Sequence, residues 1–480
     1  MNLNQTLQEK YPHLEVSVLK LSEVKKNIDF RIDDSFWTMK LIYNNKLNYK
    51  KIGECLLKSQ YGISINMNEE GDGIPIYRMN DIDNMLCNFE VKKYALIDKN
   101  ELQTFRLNYG DVLFNRTNSY EFVGRTGIFY NNRENFVFAS YLVRLVCNKE
   151  ILLPEYLTVF LNTHIGKKEI RRRARPSINQ ANVNPEELKE IKIPIFPMEF
   201  QLEIQNLVKD SHKALEESKE LYKKAEETLY LELGLDPKNP LQSLLDSKTN
   251  NPTNSPNISI HTLKESFLKT GRLDSEYYQK KYEINEKIIM NKKYTVLDNL
   301  VSITKSIEPG SNLYKNKGIP FIRVTNLTQY GLSEGDVFLD EKDFFPQYLQ
   351  ILYPKKDTIL FSKDGSVGIA YCVKEDKEVI TSGAILHLNI KDKENILPEY
   401  LTLFLNSIFV KLQAQRDCGG SIISHWRIED IKKVLVAILD IKIQEKIAKY
   451  IQESFNLRKK SKQLLDNAKN KVEEQIQGKI

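Results

Sequence analysis

The sequence predicts an α+β protein made by tandem duplication: a strand-rich α+β unit followed by a long helix, written twice, with the two helices packed as an antiparallel coiled coil. Three observations predict it. The first is internal repetition. Gly73-Ile-Pro-Ile-Tyr-Arg-Met-Asn-Asp-Ile82 returns as Gly318-Ile-Pro-Phe-Ile-Arg-Val-Thr-Asn-Leu327, and Leu153-Pro-Glu-Tyr-Leu-Thr-Val-Phe-Leu-Asn-Thr163 as Leu397-Pro-Glu-Tyr-Leu-Thr-Leu-Phe-Leu-Asn-Ser407. Arg31-Ile-Asp-Asp-Ser-Phe-Trp37 is echoed by Arg272-Leu-Asp-Ser-Glu-Tyr-Tyr278, so the offset stays between about 241 and 245. The second is a pair of seams with a 3.5-residue period. One runs Ile204, Val208, Ser211, Leu215, Ser218, Tyr222, Ala225, Leu229. The other, shifted by 243, runs Ile447, Ile451, Ser454, Arg458, Ser461, Leu465, Ala468, Val472. The third is the stretch Gly234–Ile260, where four prolines among Asn and Ser read as a linker.

The chain of 480 residues thus divides into an N-terminal segment (1–40), a first globular half (41–198), its helix (199–233), the linker (234–260), a second half with its leading segment (261–440) and a second helix (441–477). Within each half, strands such as Gly73–Tyr77 and Phe136–Cys147 precede a helix opened by Pro154 or Pro398, since proline suits the first helical turn. An apolar strand, Ile191–Phe196 or Val434–Leu439, then leads into the long helix. Small seam residues let two backbones approach, so Ser211, Ser218 and Ala225 are expected to face Ser461, Ser454 and Ala468. Arg458 is the discordant seam position.

Composition narrows the function classes. A hydrophobic fraction of 41% and a charged fraction of 28% are ordinary for a globular protein. No apolar run is long enough to span a bilayer, and the N-terminus lacks a basic and then apolar leader, so a cytoplasmic location is expected. Five scattered cysteines without a CxxC pair suit a reducing compartment. The six histidines show no HxxxH spacing, which argues against a zinc site. There is no phosphate-binding G-x-x-x-x-G-K-[ST] loop and no Gly-rich S-adenosylmethionine motif. Glu190-Ile-Lys192 matches a nuclease tail no better than chance in a chain so rich in Glu and Lys. No catalytic residue, metal site or cofactor is therefore expected in this chain. A net charge of +6 permits a nucleic-acid partner without demanding one.

The order of motifs resembles the specificity subunit of Type I restriction–modification systems. The resemblance rests on the two-half layout; on Asp111-Val-Leu-Phe-Asn-Arg-Thr-Asn-Ser119 with Val123-Gly-Arg-Thr-Gly127 and its partner Thr358-Ile-Leu-Phe-Ser-Lys-Asp-Gly-Ser-Val-Gly368; on the LPEYL segments; and on Ser177-Ile-Asn179 followed by Ile191-Lys-Ile-Pro-Ile-Phe-Pro197 and Gln201. The second half departs at Ser421-Ile-Ile423 and Val434–Asp440, which lack both prolines. The resemblance implies that each half is a target-recognition domain reading one part of a split DNA site. It also implies that the helices set the spacer and dock two adenine-methyltransferase subunits. Those partners would use S-adenosylmethionine, and a restriction subunit ATP and magnesium. A single-chain methyltransferase–nuclease fusion as partner, or an architectural adaptor without DNA contact, remain alternatives.

Candidate DNA-facing residues follow from side-chain chemistry. Lys167–Arg175 is strongly basic, and Arg171, Arg172, Arg173 and Arg175 suit phosphates or guanine edges, or else form a solvated helix end. Asn179, Gln180 and Asn182 suit adenine edges, or a polar turn. Arg116 and Lys363 take matched places in the Asn115–Asn118 and Ser362–Ser366 loops, with Thr117, Asn118 and Ser366 beside them, as backbone contacts or strand caps. Arg78 with Asn80, and Arg323 with Asn326, are equally suited to DNA or to structural hydrogen bonds.

Overall fold

The computed structural model describes residues 3–246 and 260–478, apart from 15, 17, 28–29, 40, 132–134, 179, 334 and 420–423. Two compact units are formed: Met1–Leu215 with Arg458–Ile480, and Glu216–Leu457. Each unit takes half of each long helix, Met198–Glu232 and Ile441–Gln477.

In the first unit a six-stranded sheet runs in the order 56–61, 142–147, 112–115, 126–128, 86–87, 82–83. Its central strand, Val112–Asn115, is buried on both faces, as an apolar run such as Val-Leu-Phe requires. Helix Pro154–Asn162 covers the sheet, with Tyr156, Leu157 and Phe160 in the core. In the second unit the corresponding sheet has four strands, 301–305, 385–390, 359–362 and 370–372, under helix Pro398–Asn406. The expected strand 136–147 is interrupted: Val137–Phe138 pairs with Ile74–Tyr77, while Leu142–Cys147 joins the large sheet.

The repeated motifs turn out to be joints, built alike in both units. Gln201, 1% exposed, accepts a hydrogen bond from the Leu153 N–H at 2.9 Å and donates to the carbonyls of Ile151 (3.1 Å) and Phe196 (3.0 Å). Gln444 does the same toward Leu397 N–H (3.0 Å), Asn395 O (3.1 Å) and Leu439 O (2.9 Å). One side chain thus locks the start of each long helix to the turn before the LPEYL helix. The tyrosine of that helix ties in the short apolar strand: Tyr156 Oη donates to Pro194 O at 2.7 Å, and Tyr400 Oη to Ala437 O at 2.6 Å. Those strands, Lys192–Pro194 and Leu435–Ala437, pair antiparallel with Tyr49–Lys51 and Tyr294–Val296.

The Arg-x-Asp echo has a similar cause. Arg31 forks onto Asp33 at 2.7 Å on both nitrogens and donates to Arg173 O at 3.0 Å, while Trp37 Nε1 returns a bond to Arg31 O at 2.7 Å. Arg272 forks onto Asp274 at 2.8 and 2.6 Å and donates to Arg416 O at 3.3 Å; Tyr278 Oη donates to Arg272 O at 2.9 Å. In both units the motif caps a basic helix end with a guanidinium.

The long helices pack antiparallel. In the first unit Ser211 Oγ lies 2.8 Å from Ser461 Oγ, with Ile204, Val208, Leu465, Ala468 and Val472 in one core. In the second unit Ser218 Oγ lies 2.9 Å from Ser454 Oγ, and Tyr222, Ala225, Leu229, Ile447 and Ile451 share a core. The alanine pairing is different from that expected. In antiparallel helices the partner number falls as the residue number rises, so this register sets Ala225 against Ile447 and Ala468 against Ile204. Small meets large there, so the large side chain takes the space that the small one leaves. The linker also holds an element: Pro240–Asp246 is a helix, with Leu244 buried in the second unit's core.

Candidate nucleic-acid interface

Two of the polar stretches singled out in the sequence meet in one small sheet of the first unit. Arg175–Ser177 and Gln180–Asn182 form a hairpin, and Gln180–Asn182 pairs on its other edge with Thr117–Asn118. Asn182 ties the sheet together. Its Nδ2 donates to Thr117 Oγ1 at 3.1 Å, and its Oδ1 accepts from Arg116 Nη2 at 3.2 Å. Arg116 also donates to Ser140 O at 3.3 Å and lies 5.0 Å over the Tyr61 ring. Arg116 and Thr117 therefore support the sheet from behind. Asn118 is half-buried and caps its own turn, accepting from the Ser119 N–H at 2.8 Å. What projects outward is Arg175, Ser177, Ile178 and Gln180, all exposed, with Ile178 92% accessible at the tip. Asn179 lies outside the described residues.

The arginine run divides. Arg171 is exposed on the last turn of helix His164–Arg173, and Arg175 is half in solvent while donating to Glu187 at 3.1 Å. Arg172 and Arg173 are withdrawn from the expected DNA face. Arg173 is 7% exposed and pairs with Glu169, which also accepts from Tyr43 Oη. Arg172 donates to Phe36 O at 2.6 Å and stacks on that ring at 4.2 Å; burial, reinforced by the charge of Arg173, pulls its pKa down. The N-terminal segment around 31–43 is what covers them. Burial alone would lower the pKa of the Arg31 guanidinium, but Asp33 and Glu187 outweigh it and hold it above the usual value.

The second unit repeats these pairings as single bridges, with different side chains. Asp364 bridges to His425, and His425 to Gly419, in the places of Thr117, Asn182 and Arg175. Trp426 N–H donates to Lys363 O at 2.8 Å, as Val183 N–H does to Arg116 O at 2.9 Å. Lys363, a candidate backbone contact or strand cap, is 6% exposed and its ammonium is held by Asp364, whose other oxygen meets His425 Nδ1. Ser366 is exposed, and its carbonyl accepts from Ser362 Oγ at 2.6 Å. The Asp364–His425 pair escaped the sequence reading. Aligning the repeats strand by strand, with Asp364 on Thr117 and His425 on Asn182, is the signal that finds it.

Arg78 and Arg323 prove to be turn-builders. Arg78 N–H donates to Asp81 Oδ2 at 2.8 Å, with its guanidinium 3.6 Å from that carboxylate. Arg323 N–H donates to Asn326 Oδ1 at 3.1 Å, and its guanidinium forks onto Asp336 at 2.7 and 2.8 Å. The structural match of Asn326, which is buried, is Asp81; Asn80 is the exposed neighbour.

Among the described residues, no group of three His, Cys, Asp or Glu is placed to hold a metal ion, and no helix is long and apolar enough to cross a membrane.

The molecule so defined is a duplicated α+β protein with a hairpin sheet in the first copy, matching single bridges in the second, and an antiparallel helix pair. A family model for the Type I restriction modification DNA specificity domain matches twice, over residues 50–227 and 293–469. The chain belongs to this family of DNA-specificity proteins. Among curated relatives, the putative type I restriction enzyme MjaX specificity subunit of Methanocaldococcus jannaschii is 29% identical over 163 residues, 34% of this chain and 38% of the relative. The type I restriction enzyme EcoKI specificity subunit of Escherichia coli K12 is 27% identical over 161 residues, 33% and 34% of the respective chains. The aligned part thus spans about a third of each relative's length. Among solved structures, the S subunit of a Type-I restriction-modification system from M. genitalium aligns over 90% of this chain and 96% of its own, at 15% identity and a TM-score of 0.40.

Proposed function

We propose that this chain is the non-catalytic DNA-reading subunit of a restriction–modification complex, each half reading one part of a split site. One observation carries the reading. The two units share these pairings, yet the groups at matching exposed places differ: Arg175 of the first is Gly419 in the second, and the exposed His425 of the second stands where the first has Asn182. Copies that bound one shared ligand would keep the same groups. Copies that read different base sequences need different ones. In the first half Gln180 suits an adenine edge, Arg175 a guanine edge or a phosphate, and Arg171 a phosphate.

In this account the paired helices set the spacing between the two half-sites and dock two adenine-methyltransferase subunits. Those subunits would bring S-adenosylmethionine, and a restriction subunit ATP and magnesium; a single methyltransferase–nuclease fusion would serve the same roles. The complex would work in the cytoplasm, where the DNA is. The test is selection from a pool of duplexes by the chain co-purified with its methyltransferase, over a salt series. Enrichment of one split sequence, with affinity falling steeply as salt rises, is expected. The chain alone is expected to transfer no methyl group. Binding without sequence enrichment and without salt dependence would leave an adaptor.

A further inference from the structure

We propose that a cationic cleft in the first unit, separate from the hairpin sheet, seats the phosphodiester backbone of duplex DNA; this rests on the DNA-reading function proposed above. The cleft encloses about 880 Å³. Lys58 lines it from strand 56–61, Lys99 from the first turn of helix Lys99–Phe105, Arg106 from the turn after that helix, and Lys149 from the turn after strand 142–147. All four residues are exposed, and none has an ion-pair partner among the described residues. The one carboxylate in the lining, Asp111, is already engaged by Arg144 at 3.4 Å. Arg144 is itself held at the floor by Arg106 O at 2.6 Å, Thr104 O at 3.2 Å and Gln60. Four cations without an ion-pair partner, around a concavity with a single carboxylate, focus a positive field and favour a polyanion.

The cleft also lies at a telling place on the sheet. Arg106–Asp111 and Cys147–Lys149 flank one end of the paired strands 112–115 and 142–147, while the hairpin sheet joins the other end through Thr117–Asn118. Four to six residues of strand separate them, roughly 13–20 Å. That is within the width of one duplex, whose axis carries a charge about every 1.7 Å.

The occupant is argued from asymmetry. Sheet register sets Ser302, Thr358, His387 and Asp392 of the second unit in the places of Lys58, Asp111, Arg144 and Lys149. Lys58 and Lys149 are not repeated, and of the lysines in the neighbouring turns Lys355 pairs with Asp376 at 3.5 Å and Lys393 with Asp357 at 2.7 Å. An acidic partner protein that docks on the duplicated scaffold would need the feature in both copies. A feature confined to one copy suits one half of a DNA site.

The experiment uses the full chain and a duplex of arbitrary sequence longer than two helical turns. Binding is measured over a salt series for the wild type, for Lys58→Ala/Lys99→Ala/Arg106→Ala/Lys149→Ala, and for a charge-keeping variant with Lys and Arg exchanged at the same sites. The slope of log affinity against log salt is expected to fall by about 3–4 in the alanine variant, just under one for each lost phosphate contact, and to hold in the exchange variant. Should the fourfold variant unfold, each single alanine is expected to lower the slope by just under one. A wild-type slope in a folded alanine variant would overturn the cleft while leaving DNA reading intact. An alanine variant that keeps its slope but loses co-purifying partner subunits would also overturn it, and would make the cleft a protein-docking surface. A wild type without salt-dependent binding would remove the functional proposal itself.

Discussion

Replacing Gln201 by alanine is expected to destabilise the first unit by about 3–5 kcal/mol, and Gln444→Ala to do the same to the second. The side chain satisfies three backbone groups at once, at 2.9, 3.1 and 3.0 Å, in a site closed to water. Truncation orphans the Leu153 N–H and two carbonyls, and each buried unsatisfied group costs about 1–3 kcal/mol. Gln201→Glu should be no better, because its carboxylate would face the Ile151 and Phe196 carbonyls. The check is urea unfolding of the full chain. A midpoint change equivalent to less than about 1 kcal/mol would show that water replaces the glutamine, and that the joint is not what makes this residue recur at matching places in the two halves.

Glu187→Ala is expected to cost about 3 kcal/mol, at the low end of the range for breaking a buried ion pair. Glu187 accepts from Arg31 at 3.2 and 3.0 Å and from Arg175 at 3.1 Å, and both Glu187 and Arg31 are buried. Arg31 keeps Asp33, which limits the loss. The double variant Arg31→Met/Glu187→Leu should recover only part of it, since the apolar pair carries no desolvation penalty but the bonds of Arg31 to Asp33 and the Arg173 carbonyl are lost as well. Single and double variants of equal stability would mean that the pair behaves as a solvent-screened one.

These two networks also mark where the sequence was readable and where it was not. The serine seam was legible because a helix imposes one period on both copies, and the offset of 243 aligned them. The alanine partners were not, because that offset relates the copies in parallel while the packing runs antiparallel. The LPEYL tyrosine and the glutamine stood out by repetition, but repetition shows that a residue recurs and not what it bonds. The arginine run shows the limit most clearly. Composition marks Arg171–Arg173 as one basic patch, and only the return of the chain at Phe36 and Tyr43, about 130 residues earlier, buries two of the three. Likewise nothing local to Thr117–Asn118 announces that it pairs with Ala181–Asn182. Residues that act locally were readable; those whose partners lie across the unit were not.

The central claim is that the two halves read separate parts of one site at a distance fixed by the helices. Its most direct test is methylome sequencing of a strain whose chain carries four extra residues after Leu215 and four after Leu457. Those positions fall where the long helices pass from one compact unit to the other, so each unit keeps its own Ser–Ser register. Four residues add about one helical turn, roughly 6 Å. The expected methylome shows the parental bases in both half-sites and a longer unread gap between them. An active complex with an unchanged gap would contradict the account.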